Sequence, residues 1–167
     1  MTAPSNAAPE PIVTIRHATE HDVPALTRLI NAAFVVEQVA FDGDRVDQQG
    51  VRGYMSRGHF LLAEAAGSPI GCVFIEQRDD RAYLGLLSVE PALQGRGLGR
   101  RLVDAAEELA RSLGARAMDL RVISPRADQL LPFYERLGYT FIRNEPFPPD
   151  LVAKVPCHYL LMSKSLG

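Results

Sequence analysis

The chain has 167 residues, a formal net charge of −2, 47% hydrophobic and 23% charged residues. That is enough for one domain with a sizeable core, and it gives no global charge to draw the chain to nucleic acid or an anionic membrane. No apolar run approaches the roughly 18 residues of a spanning helix, and Cys72 and Cys157 have neither metal-ligand nor Cys-x-x-Cys spacing.

The opening stretch MTAPSNAAPEP has no basic start and no apolar segment, so it does not read as a signal peptide. Its prolines and small residues predict a frayed tail over residues 1–11, followed by one domain over 12–167 in a cytoplasmic protein with reduced thiols. IVTIRHA alternates apolar and polar residues and predicts a first strand. Thr19 and Asp22 form an acidic capping box ahead of a helix on which Leu26, Leu29, Ile30, Ala33 and Phe34 recur at helical spacing. FDGDRVDQQGVRGYMSRG is polar and glycine-dotted and predicts a weaker second helix with loops.

HFLLAEA, IGCVFIEQ and RAYLGLLSV are three strands joined by tight turns, hence antiparallel. Pro91 cannot donate to a ladder and stops the third of them near Val89. The clearest helix follows, with Leu98, Leu102, Val103, Ala106, Leu109, Ala110 and Leu113 on one stripe and Gly114 at its end. RAMDLRVI is the next strand. Ser124 and Pro125 read as the start of a helix that ends at Gly138, and YTFIRNE and CHYLLMSK are two final strands. The order β-α-α-β-β-β-α-β-α-β-β predicts a single-domain α/β (α+β) fold, a mixed and mostly antiparallel sheet with helices on both faces.

The segment between the third of these antiparallel strands and its helix carries the chemistry. Gly95, Gly97 and Gly99 alternate with Arg96, Leu98 and Arg100 at the mouth of the helix. A helix start offers unpaired N–H groups and the positive end of the macrodipole, and glycines let a ligand approach the backbone. The combination predicts a phosphate or pyrophosphate cradle. A P-loop would need a following Lys-Ser or Lys-Thr, and a dinucleotide fingerprint would need glycine where Arg100 stands, so neither pattern fits.

Gln94, Gly97 and Gly99 instead spell Q-x-x-G-x-G, and with LGLLSV before them and LLPFYERLGY after them the sequence resembles the GNAT family of N-acetyltransferases over residues 12–166. The resemblance implies acetyl-CoA as co-substrate. It implies that backbone groups of Leu87, Ser88 and Val89 pair with the pantetheine arm and that Gln94, Gly95, Arg96, Gly97, Leu98, Gly99 and Arg100 hold the pyrophosphate. It implies, too, that Tyr134 protonates the leaving thiolate. The asparagine that many members carry seven residues before this tyrosine is Ala127 here, with Ser124 and Arg126 nearby, and the strand glutamate of histone-type members falls at about Tyr83.

The general base is therefore open among Glu76, Glu37, His158 and a water chain. Glu37, Asp42, Asp44 and Asp47 make an acidic stretch suited to a cationic acceptor. The expected reaction is direct acetyl transfer in a ternary complex to a small-molecule amine, a lysine or an N-terminal amine, since no Cys or Ser stands as a nucleophile. No metal is expected. The rival readings are a non-catalytic acyl-CoA-binding regulatory module on the same fold and an ATP- or NAD-using enzyme. An exposed final strand would favour a sheet-extended homodimer.

Overall fold

The computed structural model describes residues 11–167. The tail expected at 1–11 lies outside the described residues except for Pro11. Seven strands form one sheet: β1 Val13–His17, β2 His59–Ala65, β3 Ser68–Arg78, β4 Arg81–Val89, β5 Ala117–Ile123, β6 Thr140–Glu145 and β7 Tyr159–Ser165, in the order β1-β2-β3-β4-β5-β7-β6. The first four pair antiparallel, β4 and β5 pair parallel, and β7 runs antiparallel to both β5 and β6. The last strand in sequence is thus an interior strand, not the edge expected from its position in the chain. The crossover from β5 leaves one strand width open, and the returning chain fills it. The edges are β1 and β6, and β6 is the exposed one.

The helices are α1 Val23–Phe34, α2 Gln48–Arg57, α3 Leu98–Ser112 and α4 Ala127–Arg136. None of the described helices is long and apolar enough to cross a membrane. Strand alternation sorts the core into two clusters. Leu61, Val73, Ile75, Leu84, Met118 and Leu120 face α3 and α4. Phe60, Leu62, Cys72 and Phe74 face α1 and α2.

One residue breaks the alternation. Ala82 and Leu84 face α3, and two-residue periodicity sends Leu86 the same way, yet Leu86 is buried with Phe74 and Cys72 on the opposite face. Leu86 adopts a left-handed φ of 53° and the β3–β4 register shifts there, so β4 holds one residue more than its partner. Such a bulge bends its strand and ends regular pairing. β4 meets β5 only through Arg81 to Tyr83 against Ala117 to Asp119, and the two diverge beyond that point.

Two polar clusters fix elements to one another. Glu107 of α3 is 2% exposed. It accepts from the Lys164 ammonium of β7 at 2.6 Å, and Arg111 donates to the Leu166 carbonyl at 3.1 Å. At the other end of the molecule the capping box forms as expected, ahead of a short 3-10 turn that leads into α1. The Asp22 carboxylate accepts from the Thr19 N–H at 2.7 Å and from both terminal nitrogens of Arg16 at 2.8 Å. Those donors stabilise the ionised form, the Arg16 guanidinium most of all, and hold the carboxyl at about 2 against an ordinary 3.8.

Because the folded value is depressed, the unfolded chain takes up this proton first. The stabilisation is present in full above 3.8 and is lost as pH falls through about 2. Asp22→Asn is therefore expected to flatten the acid limb of stability against pH, followed by urea denaturation. An acid limb unchanged in the variant would assign it to other groups.

Candidate active site

The opening between β4 and β5 continues into a cavity of about 890 Å³. Its lining comes from both faces of the sheet, with Gly97, Gly99 and Tyr134 on the α3 and α4 side and Phe34, Glu37 and Arg45 on the α1 side. The cavity therefore passes through the sheet at the place where the strand pairing has been given up.

At one end stands the glycine loop. Gly95 and Gly97 have φ of 82° and 81°, in the left-handed region, and Gly97 is the N-cap of α3. The turn thus delivers the chain into the helix with its first N–H groups uncapped by any side chain. Gly99 is helical and packs under the Phe133 ring, where a Cβ would sit at 3.4 Å, an ordinary van der Waals contact. Gln94 does not point at the cradle. Its amide nitrogen donates to the Val89 carbonyl at 3.2 Å and ties the loop back to the strand. Gly95, Leu98 and Arg100 join Gln94 in the lining, whereas Arg96 is exposed and outside it. Of the expected strand residues, Leu87 and Val89 line the cavity. Ser88 is turned into the interior, 1% exposed, with its hydroxyl donating to the Leu86 carbonyl at 2.9 Å. This arrangement of free helix-end amides, partial positive charge and Arg100 suits a phosphate-bearing ligand.

Tyr134 lies on α4, 7% exposed, packed edge-on against Phe133 and Tyr139 and lining the cavity. Burial pushes its phenol well above the ordinary tyrosine value, the nearby Tyr83 adds to the rise, and Arg126 opposes it. Tyr134 is therefore a neutral phenol at any physiological pH, able to donate a hydrogen bond or a proton but not to act as a base.

The carboxylates separate. Glu37, on the 3-10 turn Val35–Val39 after α1, is half-buried in the cavity wall. Burial raises its pKa against the pull of Arg45 and Arg126. Glu76 is a different case. Its side chain accepts from Arg78 at 2.9 Å and lies 4.0 Å from Arg57, outside the cavity lining, so two arginines occupy the carboxylate expected as a base. His158 is outside the lining too, and its N–H donates to the Ser124 hydroxyl at 3.1 Å. That bond replaces the helix cap expected of Ser124, which opens a short 3-10 turn before α4. Ala127 packs in the core. The acidic stretch is divided, with Asp42 and Asp44 in the cavity wall and Asp47 capping α2 through the Gly50 N–H at 2.7 Å. Cys72 is fully buried and its thiol is pushed up to about 12, which leaves no thiolate for a covalent intermediate.

Among the cavity residues not singled out from sequence are Arg121 and Arg45. Arg121 of β5 lies over the Tyr83 ring at 5.5 Å and donates to Glu145 at 2.8 Å. Its alternation with Asp119 in RAMDLRVI was the available signal, placing both on the face away from α3. Arg45 lies over the Phe34 ring at 5.8 Å. It sits in a polar loop whose position over the cavity no periodicity marks.

The model of the acetyltransferase (GNAT) family matches residues 24–139, which include both the glycine loop and Tyr134. The chain belongs to this family. Among curated proteins it is 28% identical to mycothiol acetyltransferase of Propionibacterium freudenreichii over 136 residues, 77% of this chain and 43% of that protein. An uncharacterized N-acetyltransferase of Methanocaldococcus jannaschii is 32% identical over 87 residues, 48% of this chain and 38% of that one. The chain thus spans less than half the length of these curated relatives. Solved structures share the fold end to end. The Escherichia coli ribosomal-protein-S18-alanine N-acetyltransferase superposes with a TM-score of 0.74 at 19% identity, covering 93% of this chain and 95% of that one. A Salmonella typhimurium protein solved with its cofactor acetyl-CoA does so at 0.74 and 24%, covering 93% and 94%.

Nothing lies within 4 Å of a Cβ built at Gly97, so its requirement for glycine is conformational alone. Gly97→Ala is expected to cost about 1–2 kcal/mol of unfolding free energy, the usual penalty of a left-handed Cβ. A urea transition unchanged from wild type would mean that the loop relaxes out of that conformation.

Proposed function

We propose that residues 12–167 form an acetyl-CoA-dependent N-acetyltransferase domain that transfers the acetyl group directly to a primary amine. One observation carries the reading: a single cavity passes through the sheet from uncapped helix-end amides to a half-buried carboxylate, with a neutral phenol in its wall. Family membership and the acetyl-CoA in the Salmonella neighbour support it.

In this reading Gly95, Gly97, Leu98, Gly99 and Arg100 hold the pyrophosphate, Gln94 and Arg96 keep the loop in shape and positive, and the backbone of Leu87, Ser88 and Val89 runs beside the pantetheine arm. An acceptor ammonium gives a proton to Glu37, directly or through water. The freed amine nitrogen attacks the thioester carbonyl, the new C–N bond forms, the C–S bond breaks, and Tyr134 hydrogen-bonds or protonates the departing sulfur. Acetylated amine, CoA and one proton leave. Having both reactants in one cavity makes the covalent relay unnecessary. The acceptor is a small-molecule amine or the amine of a lysine or chain terminus, and two free thiols suit a cytoplasmic setting.

Thermal unfolding with acetyl-CoA, CoA, ATP and NAD tests the reading. A ligand at a hundred times its dissociation constant adds about 2.7 kcal/mol, several degrees in midpoint. Acetyl-CoA and CoA are expected to raise the midpoint and ATP and NAD to leave it, and an unmoved midpoint with all four rejects the reading.

Tyr134→Phe is expected to lower kcat at least about tenfold, with CoA affinity kept. Glu37→Gln is expected to remove the acid limb of the kcat/KM profile. That limb lies above the ordinary carboxylate range, because the raised pKa leaves Glu37 protonated to a higher pH. Wild-type kinetics in either variant would remove that residue from the chemistry.

A further inference from the structure

The end of the cavity lined by Glu37 holds charges of both signs, with Asp44 beside Glu37 among the carboxylates. Lys154 is paired with Asp42 at 3.1 Å and Arg121 with Glu145 at 2.8 Å. Arg100 belongs to the glycine loop. Arg45 and Arg126 also line the cavity, and neither has a salt-bridge partner among the described residues. The Nε of Arg126 is buried with no hydrogen-bond partner at all. A buried charged donor left unpaired costs free energy unless a ligand completes it. Both guanidinium groups lower the pKa of Glu37 against its burial, so all three groups share one electrostatic neighbourhood.

Two unpaired guanidiniums beside the carboxylates of Glu37 and Asp44 make a site of mixed charge, and a simple ammonium would leave both guanidiniums without a partner. A polyamine would leave them unpaired as well. They complement a molecule that carries an anion beside its amine. A carboxylate takes two N–H bonds from a guanidinium fork in a geometry that an ammonium on a lysine would not supply.

Resting on the acyl-CoA reading above, we propose that the acceptor is a small amine bearing a carboxylate close to the amine, as a free α-amino acid does. Arg126 and Arg45 hold the carboxylate and Glu37 faces the ammonium. A polypeptide N-terminus has an amide where this carboxylate stands, and a lysine side chain has nothing there. Phe34, Leu151 and Val152 give the rest of the wall an apolar character, which makes leucine and phenylalanine the natural probes.

Calorimetry on the full chain saturated with CoA would measure Kd for L-leucine, L-leucinamide and isoamylamine, and for L-phenylalanine, its amide and phenethylamine. Each acid is expected to bind at least about tenfold more tightly than its amide or its decarboxylated amine. Arg126→Gln is expected to bring that ratio towards one, and Arg126→Lys to restore part of it. The ratio of kcat/KM values for acid and amide, followed by thiol release from acetyl-CoA, should change in parallel. Amides or amines binding as tightly as the acids, no acid binding at all, or a ratio that survives Arg126→Gln would each overturn the inference.

CoA affinity, measured first on the same protein, separates this inference from the reading beneath it. A chain that does not bind CoA rejects both, and one that binds CoA without preferring the acids rejects this inference alone. Should Arg126→Gln fail to fold, Arg45→Gln, on an exposed side chain, provides the same comparison of ratios.

Discussion

One surplus residue in β4 holds the sheet open. Leu86 in the left-handed region turns its own side chain to the face of Phe74 and Cys72, the bulge bends the strand, and the ladder with β5 ends after Tyr83. A parallel pair continued to Val89 would close the cavity and leave α3 packed over an unbroken sheet. The site thus begins as a backbone irregularity, and the side chains around it are arranged to use the gap. The polar groups of β4 beyond Tyr83, which a full ladder would have consumed, face the cavity instead.

The same gap sets the electrostatics. Glu37, Tyr83 and Tyr134 all have pKa values raised first by burial. They share a wall from which water is partly excluded and in which charge is costly. That cost is met differently at the two ends. Around the glycine loop it is met by backbone dipoles and Arg100, which need no counter-charge of their own. Around Glu37 it is met by guanidinium groups, of which Arg121 is neutralised by Glu145 and Arg45 and Arg126 are not. An enclosed site with opposite charges held apart can orient a polar substrate before any bond changes.

Much of this was legible in the sequence, and the illegible parts have a common cause. The α3 stripe and the glycine loop at its mouth follow from local patterns, Tyr134 was singled out by the family resemblance, and the structure reproduces the order of elements. What did not follow depends on which neighbour arrives from far along the chain. Glu76 and Glu37 are both carboxylates near suitable elements, and only the fold brings Arg57 and Arg78 onto the first and the cavity onto the second. Ser124 has the sequence signature of a cap, but His158 claims its hydroxyl from 34 residues away. β7 looked like an edge because strand order across a sheet leaves no mark on the strands themselves. Leu86 gave no warning because a leucine is among the residues least expected at positive φ.

The part-buried pair of Glu107 and Lys164 joins α3, whose mouth carries the glycine loop, to β7, at the end of the sheet where β4 and β5 are still paired. Dissolved ions weaken attraction between charges on a surface, with a screening length of about 8 Å at physiological ionic strength, and affect buried charges far less. The outer pairs Arg52–Glu20 and Arg28–Glu90 are open to that weakening. The Glu107–Lys164 contact is better shielded, so added salt weakens the tie between α3 and β7 less than it weakens the outer pairs.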